Sequence, residues 1–151
     1  MAKSWTQNGG FSSYGKTALT AKMELSGFDE FFAKIESLGK DVDKACLKAV
    51  NAATPIVEND MKQGAQRHRR TGAVVNSIET ISAKAQGDYI YAAVGVDLDK
   101  HPEAYEGVFQ EYGDGHSPQF PDPFIRPAVE NNKKEIKKII RNVLKKEGLP
   151  L

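Results

Sequence analysis

The chain holds a single cysteine, Cys46, which excludes an internal disulfide and any zinc site built from several cysteines. Long apolar runs are missing as well: no stretch approaches the ~18 residues that a membrane helix needs. The opening MAKSWTQN lacks the apolar core of a signal peptide, so synthesis in the cytoplasm, with no membrane partner, is the expectation. Enzyme motifs are missing too. There is no Gly-rich phosphate loop, no nucleophile elbow and no His-Glu-x-x-His. The three histidines, His68, His101 and His116, stand far apart in polar segments. Asp97-Leu98-Asp99-Lys100-His101 spaces its donors like a metal loop but lacks the glycine and closing glutamate of a calcium site, so it reads as a solvated turn. No catalytic residue, cofactor or metal is expected.

What is present is an ordinary globular composition. With 151 residues, 40% hydrophobic and 27% charged, the chain fits one domain. Its net charge of +1 hides a polarity. Lys3, Lys16 and Lys22 face no acid in the first 22 residues. At the other end, Lys133, Lys134, Lys137, Lys138, Arg141, Lys145 and Lys146 outnumber Glu135 and Glu147. The middle is therefore acidic, and between Asp88 and Asp114 the only basic side chain other than histidine is Lys100. Basic ends and an acidic centre suit contact between copies. A plain solvated surface produces the same pattern.

Residues 1–16 are rich in Gly, Ser, Asn and Gln and read as a flexible arm. A single α+β domain is expected over residues 17–148. Thr17–Leu25 alternates apolar and polar side chains and predicts a strand. Ser26-Gly27-Phe28-Asp29 has the form of a capping box opening a helix that carries Phe28, Phe31, Phe32, Ile35 and Leu38 on one face. A second helix, from about Asp41 to Gln66, carries a stripe of small residues through Cys46 and continues, kinked, past Pro55. Cys46 on that stripe reads as a buried small hydrophobe. Arg67-His68-Arg69-Arg70-Thr71-Gly72 follows, either as basic charge favouring the helix end or as a phosphate or acidic-partner contact. A short helical turn, a strand to about Lys84, the turn signal Gly87-Asp88 and a strand from Tyr89 to Val96 come next. Both faces of that last strand are apolar enough to be covered. Ala104, Tyr105, Val108, Phe109 and Tyr112 sit at helical spacing, stopped by Gly113.

Four prolines, at 118, 121, 123 and 127, then rigidify the path of Phe124 and Ile125, which suits a docked segment more than a loose linker. From Pro127 one long amphipathic helix is expected, with a lysine-rich outer face. The whole is an α+β fold: a small antiparallel sheet packed with a long kinked N-terminal helix and a C-terminal amphipathic helix. A sheet this small keeps open edges that favour pairing with another chain.

Three short motifs, in order, carry a resemblance. They are Arg70-Thr71-Gly72 before Ser77-Ile78, Glu111-Tyr112-Gly113, and Pro123-Phe124-Ile125-Arg126-Pro127-Ala128 leading into the last helix. Their spacing resembles the Hong Kong 97-type gene-product-ten family of tailed bacteriophages, over roughly Met23 to Glu147. These are head–tail joining, or tail-completion, proteins of phages and prophages. The resemblance implies a virion component made in the bacterial host cytoplasm. It implies a ring of identical copies, six-fold in the virion, between the connector or stopper and the tail-tube proteins, with DNA passing through the lumen without sequence specificity. In its terms Arg70, Thr71, Gly72, Glu111, Tyr112, Gly113, Pro123, Phe124, Arg126 and Pro127 are interface or structural residues. Arg126 is expected to pair with an acid such as Glu111. Two rivals remain: a basic-helix module binding nucleic acid or a host partner, with Arg67, Arg69, Lys134, Lys138 and Arg141 as candidate phosphate contacts, and an enzyme whose residues converge only in three dimensions.

Overall fold

The computed structural model describes residues 18–24, 33, 41–86 and 89–149. The expected arm at 1–16, the expected helix from Phe28 to Leu38 apart from Ala33, and the Gly87-Asp88 turn lie outside the described residues.

The longest element is α1, Val42–Gln66. Asp41 opens it, its carboxylate accepting the Lys44 N–H at 3.2 Å, a cap that satisfies one orphan donor of the first turn. The small-residue stripe is buried as the pattern requires: Ala45, Cys46, Ala49, Val50, Ala53, Val57 and Met61 all face the core. Burial and the nearby Asp43 carboxylate push the Cys46 thiol up to about 11, so it is a hydrophobe in practice. The helix runs through Pro55 without a break in its assignment. Proline removes the N–H that would have reached the carbonyl four residues back. That carbonyl belongs to Asn51, and the Thr54 hydroxyl donates to it at 2.9 Å instead.

After α2, Ala73–Ser77, come strands β2, Ile78–Gln86, and β3, Tyr89–Asp97. With β1, Ala18–Glu24, they form a three-stranded antiparallel sheet in the order β1-β3-β2. The central position of β3 explains its burial from Tyr91 to Val96, on both faces. Register runs from Ala18 opposite Asp97 to Glu24 opposite Tyr91 on one side, and from Ile78 opposite Val96 to Gln86 opposite Tyr89 on the other. A shift falls between Ile81 and Lys84. Helix α1 lies against β2 and β3, and the Glu58 carboxylate fastens it to β2 by accepting from the Thr80 hydroxyl at 2.5 Å.

A 3₁₀ turn at Pro102–Ala104 leads into α3, Glu106–Tyr112. The C-terminal part differs from the single helix expected. It divides into α4, Arg126–Glu130, and α5, Lys133–Lys146, around a turn at Asn131-Asn132. The cause is the Asn132 side chain. Its amide donates to the Ala128 carbonyl at 2.7 Å and to the Asp60 carboxylate at 2.6 Å, taking the acceptor that its own backbone N–H would use in a continuous helix. That N–H turns to the Val129 carbonyl at 3.2 Å instead. Helix α5 then packs on α1 through Ile136, Ile140 and Leu144. It runs antiparallel to α1, with Asn132 at Asp60 and Glu147 bound to Lys48 at 2.6 Å. Among the described residues no helix is long and apolar enough to cross a membrane.

Candidate functional site

The three motifs converge where α1 ends. The hub is Glu111, a carboxylate with no solvent exposure. Its position on α3 points it at the chain entering α4. One oxygen accepts the N–H groups of Phe124 at 2.8 Å and Ile125 at 2.9 Å. The other accepts the N–H of Arg126 at 3.3 Å and its Nε–H at 3.0 Å. Four donors thus meet one anion, three of them backbone groups in which the next helix begins, where negative charge is favoured. The expected pairing of Arg126 with Glu111 is present. The same guanidinium lies 5.7 Å from the Tyr112 ring centroid. Burial, with Glu111 adding to it, pushes the Tyr112 phenol up, and Arg126 partly offsets this.

Gln110 is the second buried polar group of α3. Its amide donates to the Gly64 carbonyl at 2.9 Å, fastening α3 to the last turn of α1, and its backbone carbonyl accepts the Asp122 N–H at 2.8 Å. Gly64 lets the proline segment approach. A Cβ there would lie 2.6 Å from the Phe124 Cβ and 3.3 Å from its Cα, so the chain at Phe124 passes directly over bare helix backbone. Gly113, at φ 91°, ends α3 where an L side chain would be strained and where Pro121 presses close. Pro123 accepts from Arg67 Nη2 through its carbonyl at 3.1 Å, and Pro127 occupies the first turn of α4, where its missing N–H costs nothing.

Arg67 grips Asp122 with two nitrogens, at 2.7 and 2.9 Å. His68 Nε2 is 2.9 Å from the same carboxylate, and its ring meets Phe120 edge-on at 4.9 Å. The Arg67 hydrogen bond, aided by His68, holds the Asp122 carboxyl below the usual range. Arg67, a candidate phosphate contact by sequence, is therefore committed to Asp122 and the Pro123 carbonyl at the surface of the domain. Arg70 reaches Glu106 at 2.6 Å while its side chain stays largely exposed. Thr71 Oγ1 accepts the Ala73 N–H at 3.2 Å, and Gly72 takes φ 87°, with the Arg69 guanidinium beside it. An open cleft of about 520 Å³ runs between this turn, Phe109 and Phe120. Lys134, Lys138 and Arg141 are not part of the convergence: they lie exposed along α5.

Sequence reading did not find Gln110, Gly64 or Asp122, and it left open which side of α3 faces the core. Gly107, Gln110 and Glu111 are buried, while Tyr105, Phe109 and Tyr112 are exposed. The available signal was the pair Gln110-Glu111 beside a segment of closely spaced prolines, whose backbone N–H groups need an acceptor. Among the described residues no group of three or more His, Cys, Asp and Glu side chains could hold a metal ion.

These features define a small α+β module whose most buried polar groups hold one backbone segment rigidly against another. The family model described as "Bacteriophage HK97-gp10, putative tail-component" matches residues 29–113, and the chain belongs to that bacteriophage family. The matched span takes in Arg70-Thr71-Gly72 and Glu111-Tyr112-Gly113 and stops before Pro123-Phe124-Ile125-Arg126-Pro127. No curated protein and no solved structure matches the chain.

Proposed function

We propose that the protein is a structural component of a tailed phage or prophage. Copies form a closed, six-fold ring at the head–tail junction and join the capsid connector to the tail tube, with DNA passing through the lumen. The observation that carries this reading is membership of the phage tail-component family over residues 29–113. The clasp supports it. The Glu111 hub, with Gln110 bound to Gly64 and Arg67 bound to Asp122, ties the end of α1, α3 and the proline segment into one block, a fixed surface of the kind that ring contacts use. The two outer strands of the sheet, β1 and β2, and the opposed charge patches offer distinct surfaces for neighbours. On this reading the protein works by geometry and charge and turns over no substrate.

The exposed lysines of α5 favour one rival, a module binding nucleic acid or a host partner. Deleting the gene from the phage separates the two. On the ring reading, DNA-filled heads and finished tails accumulate unjoined, and a plasmid copy of the gene restores joined virions. Normally joined particles without the gene would overturn it. Steeply salt-dependent DNA binding by the purified protein, alongside such normal particles, would install the rival.

A further inference from the structure

Helix α3 wears its aromatics on the outside. Tyr105, Phe109 and Tyr112 are 54%, 39% and 51% exposed, and they follow one another at steps of four and three residues, so they share one face. The Tyr105 and Phe109 rings already meet edge-to-face at 5.4 Å. The buried side of the helix is spent on Gln110 and Glu111, so this face stays exposed, with only Tyr112 meeting a cation of its own chain, the Arg126 guanidinium at 5.7 Å. Carboxylates of Glu103 and Glu106 border it, both substantially exposed.

Helix α5 carries the complement. Lys134, Lys138, Arg141 and Lys145 are exposed at steps of four, three and four, on the side away from Ile136, Ile140 and Leu144. Among the described residues only Lys138 of these four has an ion pair, a long one of 3.7 Å to Glu135 on its own helix. At about 1.5 Å of rise per residue, cations on α5 recur at about 6 and 4.5 Å, the same spacing as the rings on α3. A cation over an aromatic face is attracted to it, and lysine stems cover apolar surface while the ammonium stays wet. The two stripes diverge from the end of α1. Helix α3 is fixed at Gly64 and Arg70, where α1 ends. Helix α5 leads the other way, from Asp60 back to Lys48.

We infer that the Tyr105–Phe109–Tyr112 face of one copy docks on the Lys134–Lys138–Arg141–Lys145 row of a second copy of this chain, head to tail. Two different complementary surfaces on one subunit generate a ring when the rotation closes. The inference rests on the self-assembly reading above and names its contact.

The test mixes two full-length variants, each spoiled on one surface. Tyr105→Ser/Phe109→Ser lacks the aromatic face. Lys134→Glu/Lys138→Glu/Lys145→Glu lacks the basic row. By sedimentation velocity up to about 1 mM, wild type is expected to associate. Each variant alone is expected to dissociate at least about tenfold more readily, and an equimolar mixture is expected to form one-to-one dimers and stop there, since one intact pair of surfaces remains. Tyr105→Ser alone serves if the double variant loses its circular-dichroism signature. A wild type that stays monomeric, a variant that associates like wild type, or a mixture that yields no dimer overturns the contact. So does a basic-row variant that associates normally while losing DNA binding, which would assign that row to nucleic acid. Rings formed alike by wild type and both variants would leave the head–tail reading standing; joined virions made without the gene would remove the reading itself.

Discussion

Glu111→Gln is the sharpest perturbation, because it keeps the shape of the side chain and changes only what it can accept. Each carboxylate oxygen now takes two hydrogen bonds, from Phe124 and Ile125 on one and from Arg126 twice on the other. An amide has one acceptor oxygen, and its NH₂ can only donate. Whichever way it turns, two donors face another donor. An unpaired buried donor costs about 1–3 kcal/mol; removing one partner of a fully buried charged pair costs about 3–5 kcal/mol, an upper bound here because the Arg126 side chain is 39% exposed. These two costs overlap, so a loss of about 2–4 kcal/mol is expected. At about 2–4 °C per kcal/mol for a chain of this size, the melting temperature should fall by roughly 10 °C. Thermal unfolding followed by circular dichroism reads this directly, with urea titration as a second measure. Lys48→Ala is the control: it cuts the exposed contact to Glu147 and should cost at most about 1 kcal/mol. Pairing Glu111→Gln with Arg126→Gln should cost less than the sum of the two single changes, since they share the hub. A Glu111→Gln protein melting within about 2 °C of wild type would refute the assignment of Glu111 as the anchor of the proline segment.

Gly64→Ala tests the close approach of Phe124. An exposed helical glycine replaced by alanine gains roughly 0.5–1 kcal/mol, but here the new Cβ would lie 2.6 Å from the Phe124 Cβ. A net loss of about 1–3 kcal/mol in urea unfolding is expected, and a stabilised variant would show that the segment yields. The pH dependence follows from Asp122 and Asp114. Asp122 is held low by Arg67 and His68, and Asp114 sits at about 2 through hydrogen bonds from Ser117 and His116. A carboxyl with a lowered folded-state pKa binds fewer protons than in the unfolded chain. Its contribution is complete above the ordinary aspartate value of about 3.9 and is lost as pH falls through the lowered value. Wild-type stability should therefore fall between about pH 4 and pH 2, and Asp122→Asn should flatten that fall. An unchanged slope in acid-titrated melts would remove Asp122 from the account.

Much of the fold was written in local pattern. The stripe from Val42 to Met61 fixes which side of α1 is buried, because at 3.6 residues per turn only one orientation covers it. Strand β3 was legible from its two apolar faces, and Gly113 from its place after a helical run. Local pattern failed where a side chain competes with the backbone. Nothing about Asn132 in isolation says that its amide will take the Ala128 carbonyl and divide the last helix; that needs Asp60 on α1 to hold it in place. Helix α3 and its stop at Gly113 were legible, but not which of its sides is buried: the backbone donors at 124 to 126 need an acceptor, and Glu111 turns inward to meet them while Gln110 reaches the end of α1.

The sequence by itself determined a cysteine-poor α+β chain, its long helix, its strands, its rigid proline segment and its polarity of charge. These are properties of neighbours along the chain, where periodicity and turn chemistry act. Only the tertiary structure decided that β3 is central, that Asp122 anchors Arg67, that Glu111 takes three backbone donors besides its pair with Arg126, and which side of α3 meets solvent. Each of those choices depends on where unsatisfied donors and acceptors from distant segments meet, and spacing along the chain carries no record of that.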